Sequence, residues 1–255
     1  MAFKPELEWA GEEVSQEQIQ RVCNRYYWAG EYCKGKDVVE IACGTGIGSG
    51  YISFLSKSYI AGDVSENVLN KAREYYKNRI EFLVFDAHSL PFSDSSKDII
   101  ILFEAIYYLK DVNQFLSECK RVLRKDGKML IATANKDLYD FHPSKFAVRY
   151  YGVLELKHLF ESHGYKTQFL GDTPFSSVSL KQKLLRPVKK IVVKLNLLPK
   201  SNAGKRILKK IVFGNLVQMP NEIDENTAEK IDPINIPNNL RDTLYKVLFC
   251  VVSLQ

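Results

Sequence analysis

Two spacings of apolar residues alternate along the first two thirds of the chain. Short runs rich in Val, Ile and Phe predict β-strands, and the segments between them repeat apolar residues at i, i+3 and i+4, as helices do. The clearest strand is 97–103, a nearly unbroken apolar run of the kind found at the centre of a parallel sheet buried on both faces. The clearest helix is 111–123, which ends before the glycine at position 127.

The predicted elements follow a regular order. The strands are 37–43, 59–63, 80–84, 97–103, 128–133 and 166–170, and the helices between them are 51–58, 67–78, 111–123 and 154–163. Strands that alternate with helices form right-handed β-α-β crossovers, which bring the strands into one sheet. The pattern therefore predicts an α/β fold with a doubly wound, mainly parallel sheet.

The alternation stops between residues 175 and 240. A basic stretch up to residue 215 is followed by an acidic, proline-containing stretch at 221–239, and a strand-like run returns at 243–254. One interpretation is a second small domain. The other, which we adopt, is a core at residues 1–174, a basic and mainly helical insertion at 175–240, and a closing strand of the core at 241–255.

The distribution of charge supports this division. The chain of 255 residues has a formal net charge of +6, but residues 175–215 hold 11 Lys and Arg and no Asp or Glu, which leaves −5 on the rest. The positive charge is therefore a property of the insertion. With 45% hydrophobic residues, the chain can bury a sizeable core in one large domain or two small ones.

Three features of the sequence bear on localisation. No apolar run approaches the roughly 20 residues that a transmembrane helix needs. The first twenty residues contain five Glu and no apolar segment of a signal peptide. The five cysteines form no Cys-x-x-Cys pair and lie mostly in apolar segments, which predicts buried, reduced thiols. We therefore expect a cytoplasmic protein, peripheral to the inner face of a membrane if its basic insertion binds lipid.

A glycine-rich turn follows the first predicted strand. Gly44 and Gly46 lie where the chain passes into a helix, and such a turn lets backbone N–H groups approach a ligand. Three acids, Glu40, Asp63 and Asp86, lie in or directly after successive strands, near the sheet edge at which open α/β sheets bind ligands. The alternatives are structural: a turn cap at Glu40, a helix N-cap at Asp63 and a turn residue at Asp86.

Over residues 20–172 the sequence resembles the class I S-adenosylmethionine-dependent methyltransferases of the small-molecule type, in the order and spacing of their motifs. The motifs that carry the resemblance are Arg25-Tyr26, the run from Gly35 to Gly46, Gly62-Asp63-Val64-Ser65, Phe85-Asp86-Ala87, Leu90-Pro91-Phe92, Phe103-Glu104-Ala105, the run from Glu118 to Gly127, and Glu155-Leu156 before Gly164-Tyr165. The resemblance implies a seven-stranded Rossmann-like sheet with an antiparallel seventh strand, the insertion lying between strands six and seven.

The resemblance also implies a binding site for S-adenosylmethionine. The residues implied at its methionine end are Tyr26, Glu40, Gly44, Gly46, Phe103 and Glu104. Those implied at its ribose and adenine are Asp63, Val64, Asp86 and Ala87. Asp63 would accept the ribose hydroxyls, while Val64 lines the adenine. For Tyr26, a purely structural place in the core is the alternative.

Methyl transfer from a sulfonium needs a positioned nucleophile and, for a hydroxyl, one base. Many of the proteins that the chain resembles carry a histidine pair or Glu-His after the fourth strand, where this sequence has Tyr107 and Tyr108. The first candidate for a base or substrate ligand is therefore His142, in the loop after the fifth strand, and Tyr108 is a second. A turn-stabilising role beside Pro143 is the alternative for His142. No residue cluster has metal-ligand spacing, so no metal is predicted.

The acceptor is constrained by missing motifs and by the insertion. The Asn/Asp-Pro-Pro-Tyr loop and the Pro-Cys nucleophile of nucleic-acid methyltransferases are absent, which favours a small molecule or a glycan. Residues 181–212 predict two amphipathic basic helices. They could cap the acceptor pocket, contact an anionic membrane or a lipid-linked acceptor, or bind nucleic acid, which the sparse aromatic residues disfavour.

A second resemblance, to methyltransferases of bacterial surface-polysaccharide clusters, is carried by Arg25-Tyr26, Gly35-Lys36, Phe175-Ser176-Ser177 and the run from Gly214 to Pro220. Together the resemblances favour O-methylation of a sugar or lipid-linked glycan. Methylation of a quinone, lipid or natural product is the second hypothesis. A catalytically idle cofactor-binding protein is the third.

Overall fold

Ten strands and five α-helices make up the computed structural model, which describes residues 9–174 and 216–254. The strands are β1 (Glu13–Ser15), β2 (Asp37–Ile41), β3 (Ser58–Asp63), β4 (Glu81–Val84), β5 (Lys97–Phe103), β6 (Leu123–Ala134), β7 (Tyr165–Pro174), β8 (Leu216–Gln218), β9 (Ile234–Ile236) and β10 (Tyr245–Leu254). The helices are α1 (Gln16–Cys33), α2 (Ser49–Leu55), α3 (Glu66–Tyr76), α4 (Val112–Val122) and α5 (Val153–Glu161).

Eight of these strands form one sheet in the order β4-β3-β2-β5-β6-β10-β7-β9. The strands from β4 to β6 are parallel to their neighbours, and β10 runs antiparallel to both β6 and β7. The expected Rossmann-like sheet and its antiparallel last strand are thus confirmed. The structure adds β9, a three-residue strand that pairs with the outer edge of β7 and has too short an apolar pattern to be predicted.

Helices cover both faces of the sheet and enclose a hydrophobic cluster on each side. Helices α1, α2 and α3 pack on one face, and α4 and α5 pack on the other. The side chain of Phe249 in β10 is fully buried and stacks on Trp28 of α1, with ring centroids 4.6 Å apart. The N-terminal helix is therefore fixed to the last strand of the chain.

Helix α1 is absent from the elements predicted by periodicity. Its start is well marked, because the Ser15 hydroxyl accepts the N–H of Gln18 and the Gln18 side chain accepts the N–H of Ser15. Residues 22–30 are nevertheless buried without interruption, and they include the polar Asn24 and Arg25. A helix buried on all sides has no polar stripe, so the 3.6-residue pattern is lost.

The described part of the predicted insertion, residues 216–240, contains two short strands and no helix. Strand β8 pairs antiparallel with β1, which ties this segment to the start of the chain. The two helices predicted within 181–212 lie outside the described residues. The division of the chain at residues 174 and 240 stays a prediction.

The predicted burial of the cysteines is confirmed. All five are buried and none is joined to another in a disulfide. Burial raises the pKa of every one of the five thiols, which keeps them protonated and unreactive. Within residues 9–174 and 216–254, no helix is long and apolar enough to cross a bilayer.

Truncation of Phe249 tests whether β10 holds the two halves of the core together. Phe249→Ala should lower the free energy of unfolding by about 3 to 5 kcal/mol, because it leaves a cavity beneath Trp28. Phe54→Ala is the matched control, since Phe54 is 87% exposed and its loss should change stability by less than about 0.5 kcal/mol. Equal effects of the two changes in urea denaturation would contradict this account of the core.

Candidate active site

The turn between β2 and α2 is shaped by residues with positive φ. Gly44 and Gly46 have φ angles of +59° and +74°, which glycine adopts without strain. A Cβ added at Gly44 would meet no atom within 4 Å, so the turn faces open space there. The N–H groups of Thr45 and Gly48 have no acceptor among the described residues. The turn can therefore offer backbone donors to a ligand.

Glu40 lies beneath this turn and is 1% exposed. The Tyr26 hydroxyl donates a hydrogen bond of 2.6 Å to one carboxylate oxygen, and the Tyr59 hydroxyl donates to the other. Burial raises the pKa of the Glu40 carboxyl to about 7, although the two tyrosines and the nearby charge of Arg25 oppose the shift. Both oxygens of the Glu40 carboxylate thus accept hydrogen bonds from tyrosine hydroxyls.

Asp63, at the end of β3, holds the other side of the turn. One carboxylate oxygen accepts the N–H of Gly44 at 3.2 Å, and the other accepts the N–H of Ser65 at 2.9 Å. Desolvation raises the pKa of this carboxyl. Val64 beside it is 70% exposed, so the edge of the turn is open to a ligand. Asp63 therefore links the glycine turn to the start of α3.

Asp86 follows β4 and is bound to His88. The Asp86 carboxylate accepts the backbone N–H of His88 at 2.9 Å and also contacts Nδ1 of the ring, and these contacts lower the pKa of Asp86. The Nε2 atom of His88 accepts the N–H of Asp111, the N-cap of α4, at 3.2 Å. His88 thus connects Asp86 to α4, which sequence analysis did not foresee. Ala87, between them, is half-buried.

Glu104 follows β5 in a strained backbone conformation, with φ of +50°. Its carboxylate lies 3.4 Å from the buried guanidinium of Arg25 and accepts the hydroxyl of Tyr107 at 2.9 Å. Phe103, the residue before it, is buried against the edge of the Tyr26 ring at 5.3 Å. Glu104 therefore joins the turn side of the site to the residues that follow β5.

An aromatic cluster formed by Tyr107, Tyr108, Phe141 and Tyr150 lies beside Glu104. The Tyr107 ring stacks on Tyr150 at 4.4 Å and meets the edge of Tyr108 at 4.6 Å, and Phe141 packs edge-on against Tyr150 at 4.7 Å. Burial raises the pKa of Tyr107, which keeps it a hydrogen-bond donor. His142, next in sequence to Phe141, is exposed and has no hydrogen-bond partner among the described residues.

Sequence analysis missed two buried polar groups at this edge. The Asn135 amide, directly after β6, donates to the backbone carbonyl oxygens of Asp242 and Tyr245 and to the Asp242 carboxylate, at 2.9 to 3.0 Å. Asp172, near the end of β7, accepts the Asn24 amide at 2.7 Å. Both residues follow predicted strands 128–133 and 166–170, so the rule that selected Glu40 and Asp63 could have found them.

The segment of residues 216–231, which we call the strap, packs against the same turn from outside. The N–H of Ile223 donates to the carbonyl of Ile47 at 2.9 Å, and the Glu222 carboxylate pairs with Arg79 at 2.8 Å. Glu222 lies so close to Gly50 that a Cβ there would come within 1.6 Å of its carboxylate. The described end of the insertion thus supports the turn, and the predicted roof over an acceptor pocket stays a prediction.

The edge of the sheet at the carboxyl ends of its parallel strands, which we call the carboxyl edge, therefore has two adjoining parts with different chemistry. Carboxylates in or after four neighbouring strands and the backbone N–H groups of the glycine turn make one part polar, which suits a ligand rich in hydroxyl and amino groups. The aromatic cluster beyond Glu104 suits a partly apolar molecule. A ligand that reaches past Glu104 would bring its reactive atom to the boundary between the two.

Comparison with known proteins relates part of this chain to methyltransferases. Residues 39–131 match the model of the methyltransferase domain family. A probable S-adenosylmethionine-dependent methyltransferase from Mycolicibacterium smegmatis is 33% identical over 140 residues, which cover 53% of this chain and 54% of that protein. A fatty-acid O-methyltransferase of the same organism is 33% identical over 104 residues, which cover 40% of this chain and 38% of that protein. The chain thus spans about half or less of the length of these relatives.

A solved structure supports the fold over nearly the whole chain. The YcgJ protein from Bacillus subtilis superimposes with a TM-score of 0.58, covering 91% of this chain and 98% of that one. The sequences are 16% identical, so the likeness concerns the fold alone.

Glu40 provides a test through the pH dependence of stability. Its folded pKa of about 7 exceeds the usual 4.5, so the folded protein retains a proton that the unfolded chain has released. The carboxyl should therefore lower stability by an amount on the order of 3 kcal/mol as the pH rises from about 4.5 to 7. In Glu40→Gln this part of the decline should vanish, because the amide does not titrate.

Chemical denaturation of both proteins across this pH range measures the difference, since all other groups are shared. Glu66→Gln is the control, because this glutamate lies on the surface of α3 and should leave the decline unchanged. Parallel pH profiles for the unaltered protein and Glu40→Gln would show that folding does not raise the pKa of Glu40.

Proposed function

We propose that the protein is an S-adenosylmethionine-dependent methyltransferase that transfers a methyl group to a hydroxyl of a lipid or lipid-linked acceptor. The match of residues 39–131 to the methyltransferase domain family supports the activity. The observation that supports this acceptor is the aromatic cluster next to Glu104. The cofactor is S-adenosylmethionine, which supplies an activated methyl group on a sulfonium.

The residues proposed to hold the cofactor surround the glycine turn. The backbone of Gly44 and Gly46 would approach its methionine end, and a Cβ added at Gly44 would meet no atom within 4 Å, which leaves space for a ligand there. Glu40 and Tyr26 would act from below by fixing the turn. Glu104, whose carboxylate is 23% exposed beside Phe103, would meet the amine.

The ribose and adenine would lie on the other side of the turn. The Asp63 carboxylate can accept ribose hydroxyls while it keeps its bonds to backbone N–H groups, since each oxygen has a second lone pair. Val64 would offer an exposed apolar surface to the adenine. Asp86 and Ala87 would contact its amino edge.

The acceptor would bind against the aromatic cluster. The half-buried rings of Tyr108, Phe141 and Tyr150 favour a chain or the apolar face of a sugar, and the fatty-acid O-methyltransferase among the similar proteins supports a lipid component. This is compatible with a lipid-linked glycan, the acceptor expected from the sequence. A free sugar is the second candidate, favoured only by the weaker resemblance to polysaccharide-cluster methyltransferases.

Methyl transfer to a hydroxyl requires that its oxygen lie in line with the methyl group and lose its proton. His142 is proposed to accept that proton, because its imidazole is exposed and adjoins the aromatic cluster. Tyr108, half-buried against Tyr107, would orient the acceptor. A catalytically idle protein remains the rival, and transfer of labelled methyl groups into a lipid extract of the source cells would exclude it.

Asp63→Ala tests the cofactor site. The variant should bind S-adenosylmethionine and its demethylated product about tenfold to a hundredfold more weakly in titration calorimetry, because it loses a charged acceptor. Asp94→Ala is the control, since Asp94 is an exposed residue paired with Arg121. A folded Asp63→Ala protein with unchanged affinity would remove Asp63 from the site.

His142→Ala tests the proposed base. Methyl transfer should slow by about a hundredfold or more, while affinity for the cofactor stays unchanged. His158→Ala, on α5, is the matched control and should retain full activity. If Tyr108→Phe rather than His142→Ala abolishes transfer, the proton is handled by Tyr108 and the proposal for His142 fails.

A further inference from the structure

Two loops at the carboxyl edge carry exposed apolar side chains together with exposed cations. We propose that they form a docking surface for an anionic lipid bilayer, an inference that rests on the proposed lipid-linked acceptor. The docking surface consists of Val148, Leu240, Leu244, Lys145, Arg149 and Arg241. It would place the mouth of the acceptor site against the membrane in which the acceptor resides.

The first loop, residues 135–152, has an inner and an outer face. Leu138 is 8% exposed, and Phe141 and Tyr150 pack into the aromatic cluster. Val148 points away from this interior and is 58% exposed, although its backbone N–H is fixed to the Tyr107 carbonyl at 2.8 Å. The backbone at Val148 is thus held by a hydrogen bond while its apolar side chain is exposed to solvent, so the side chain is available to a partner.

The second loop, residues 237–244, lies directly beside the first. The Asn135 amide binds the Asp242 carboxylate and backbone, and the charge of Arg241 acts on Asp137. Leu240 and Leu244, on either side of the buried Asp242, are 60% and 63% exposed. Both loops therefore present apolar side chains at the same end of the sheet.

The charges on the two loops indicate which kind of partner the docking surface would bind. The charged residues that are exposed in these two loops are all cations, namely Lys145, Arg149 and Arg241. The acidic residues of the loops, Asp137, Asp140 and Asp242, are half-buried or buried. Exposed apolar groups among cations match the interface of an anionic bilayer, where apolar side chains enter the acyl boundary and cations meet phosphates.

The docking surface lies next to the aromatic cluster, which gives a reason for membrane binding there. The outer face of the first loop belongs to the same backbone whose inner face builds the aromatic cluster beside Glu104. A lipid with its chains in the bilayer could thus extend its head group into the site without leaving the membrane.

Flotation of the full chain with vesicles tests the surface. The unaltered protein should float with vesicles of equal parts phosphatidylcholine and phosphatidylglycerol, and should not float with phosphatidylcholine alone. Removing the cations in Lys145→Gln/Arg149→Gln should weaken binding about fivefold for each charge. Leu240→Ser/Leu244→Ser should weaken it at least about tenfold, because two apolar side chains no longer enter the acyl boundary.

Matched controls lie at the opposite edge of the sheet. Lys34→Gln/Lys57→Gln removes two exposed cations there, and Phe54→Ser removes a fully exposed aromatic ring. Both should bind vesicles as the unaltered protein does. A direct measure comes from Leu240→Trp, whose fluorescence should be quenched by brominated acyl chains if the side chain enters the bilayer.

Several results would overturn the proposal. They are equal vesicle binding by all variants, no quenching at Leu240→Trp, and a self-association of the unaltered protein that the loop variants abolish. Marked loss of stability in Leu240→Ser/Leu244→Ser would also count against it, since these side chains would then be buried within the protein. Binding of S-adenosylmethionine is measured in parallel, so failure to dock is distinguished from failure of the methyltransferase site.

Discussion

The burial of Glu40 is the constraint on which the site depends. A carboxylate removed from water is costly unless hydrogen bonds replace its hydration, and here the replacements come from Tyr26 on α1 and Tyr59 on β3. Ser49, at the start of α2, lies 2.9 Å from the Tyr59 hydroxyl and extends the network. One buried side chain thereby joins α1, β2 and β3, and through Tyr59 it is linked to the start of α2, where the glycine turn ends.

Helix α1 also connects the side of the glycine turn to the aromatic cluster. Arg25, next to Tyr26, lies beside Glu104, and Glu104 accepts the hydroxyl of Tyr107 in the aromatic cluster. Burial raises the pKa of Asp172, and the charge of the Arg25 guanidinium is among the contacts that oppose this rise. A displacement of α1 would therefore disturb both Glu40 and Glu104, because Tyr26 and Arg25 of this helix contact these two carboxylates.

The patterns of apolar and capping residues correctly predicted the elements that are determined by residues close together in the sequence. Strand β5 was predicted with its observed bounds, and α4 begins after Asp111, whose carboxylate caps it. The glycine turn and the acids of the first strands also followed from spacing and position. What escaped prediction depends on contacts between distant residues: the partners of Glu40, the link through His88 to α4, and the strap against Ile47. Such contacts are set by the fold and leave no periodic signal.

The position of β10 has a consequence for how this chain folds. The strand inserts between β6 and β7, although the whole insertion separates it from β7 in sequence. Until residues 245–254 arrive, β6 and β7 each expose an unpaired edge, and such edges pair readily with other chains. The slowest step of folding should therefore be the insertion of β10 between β6 and β7. Before this step, the exposed edges of β6 and β7 make the newly synthesised chain prone to aggregation.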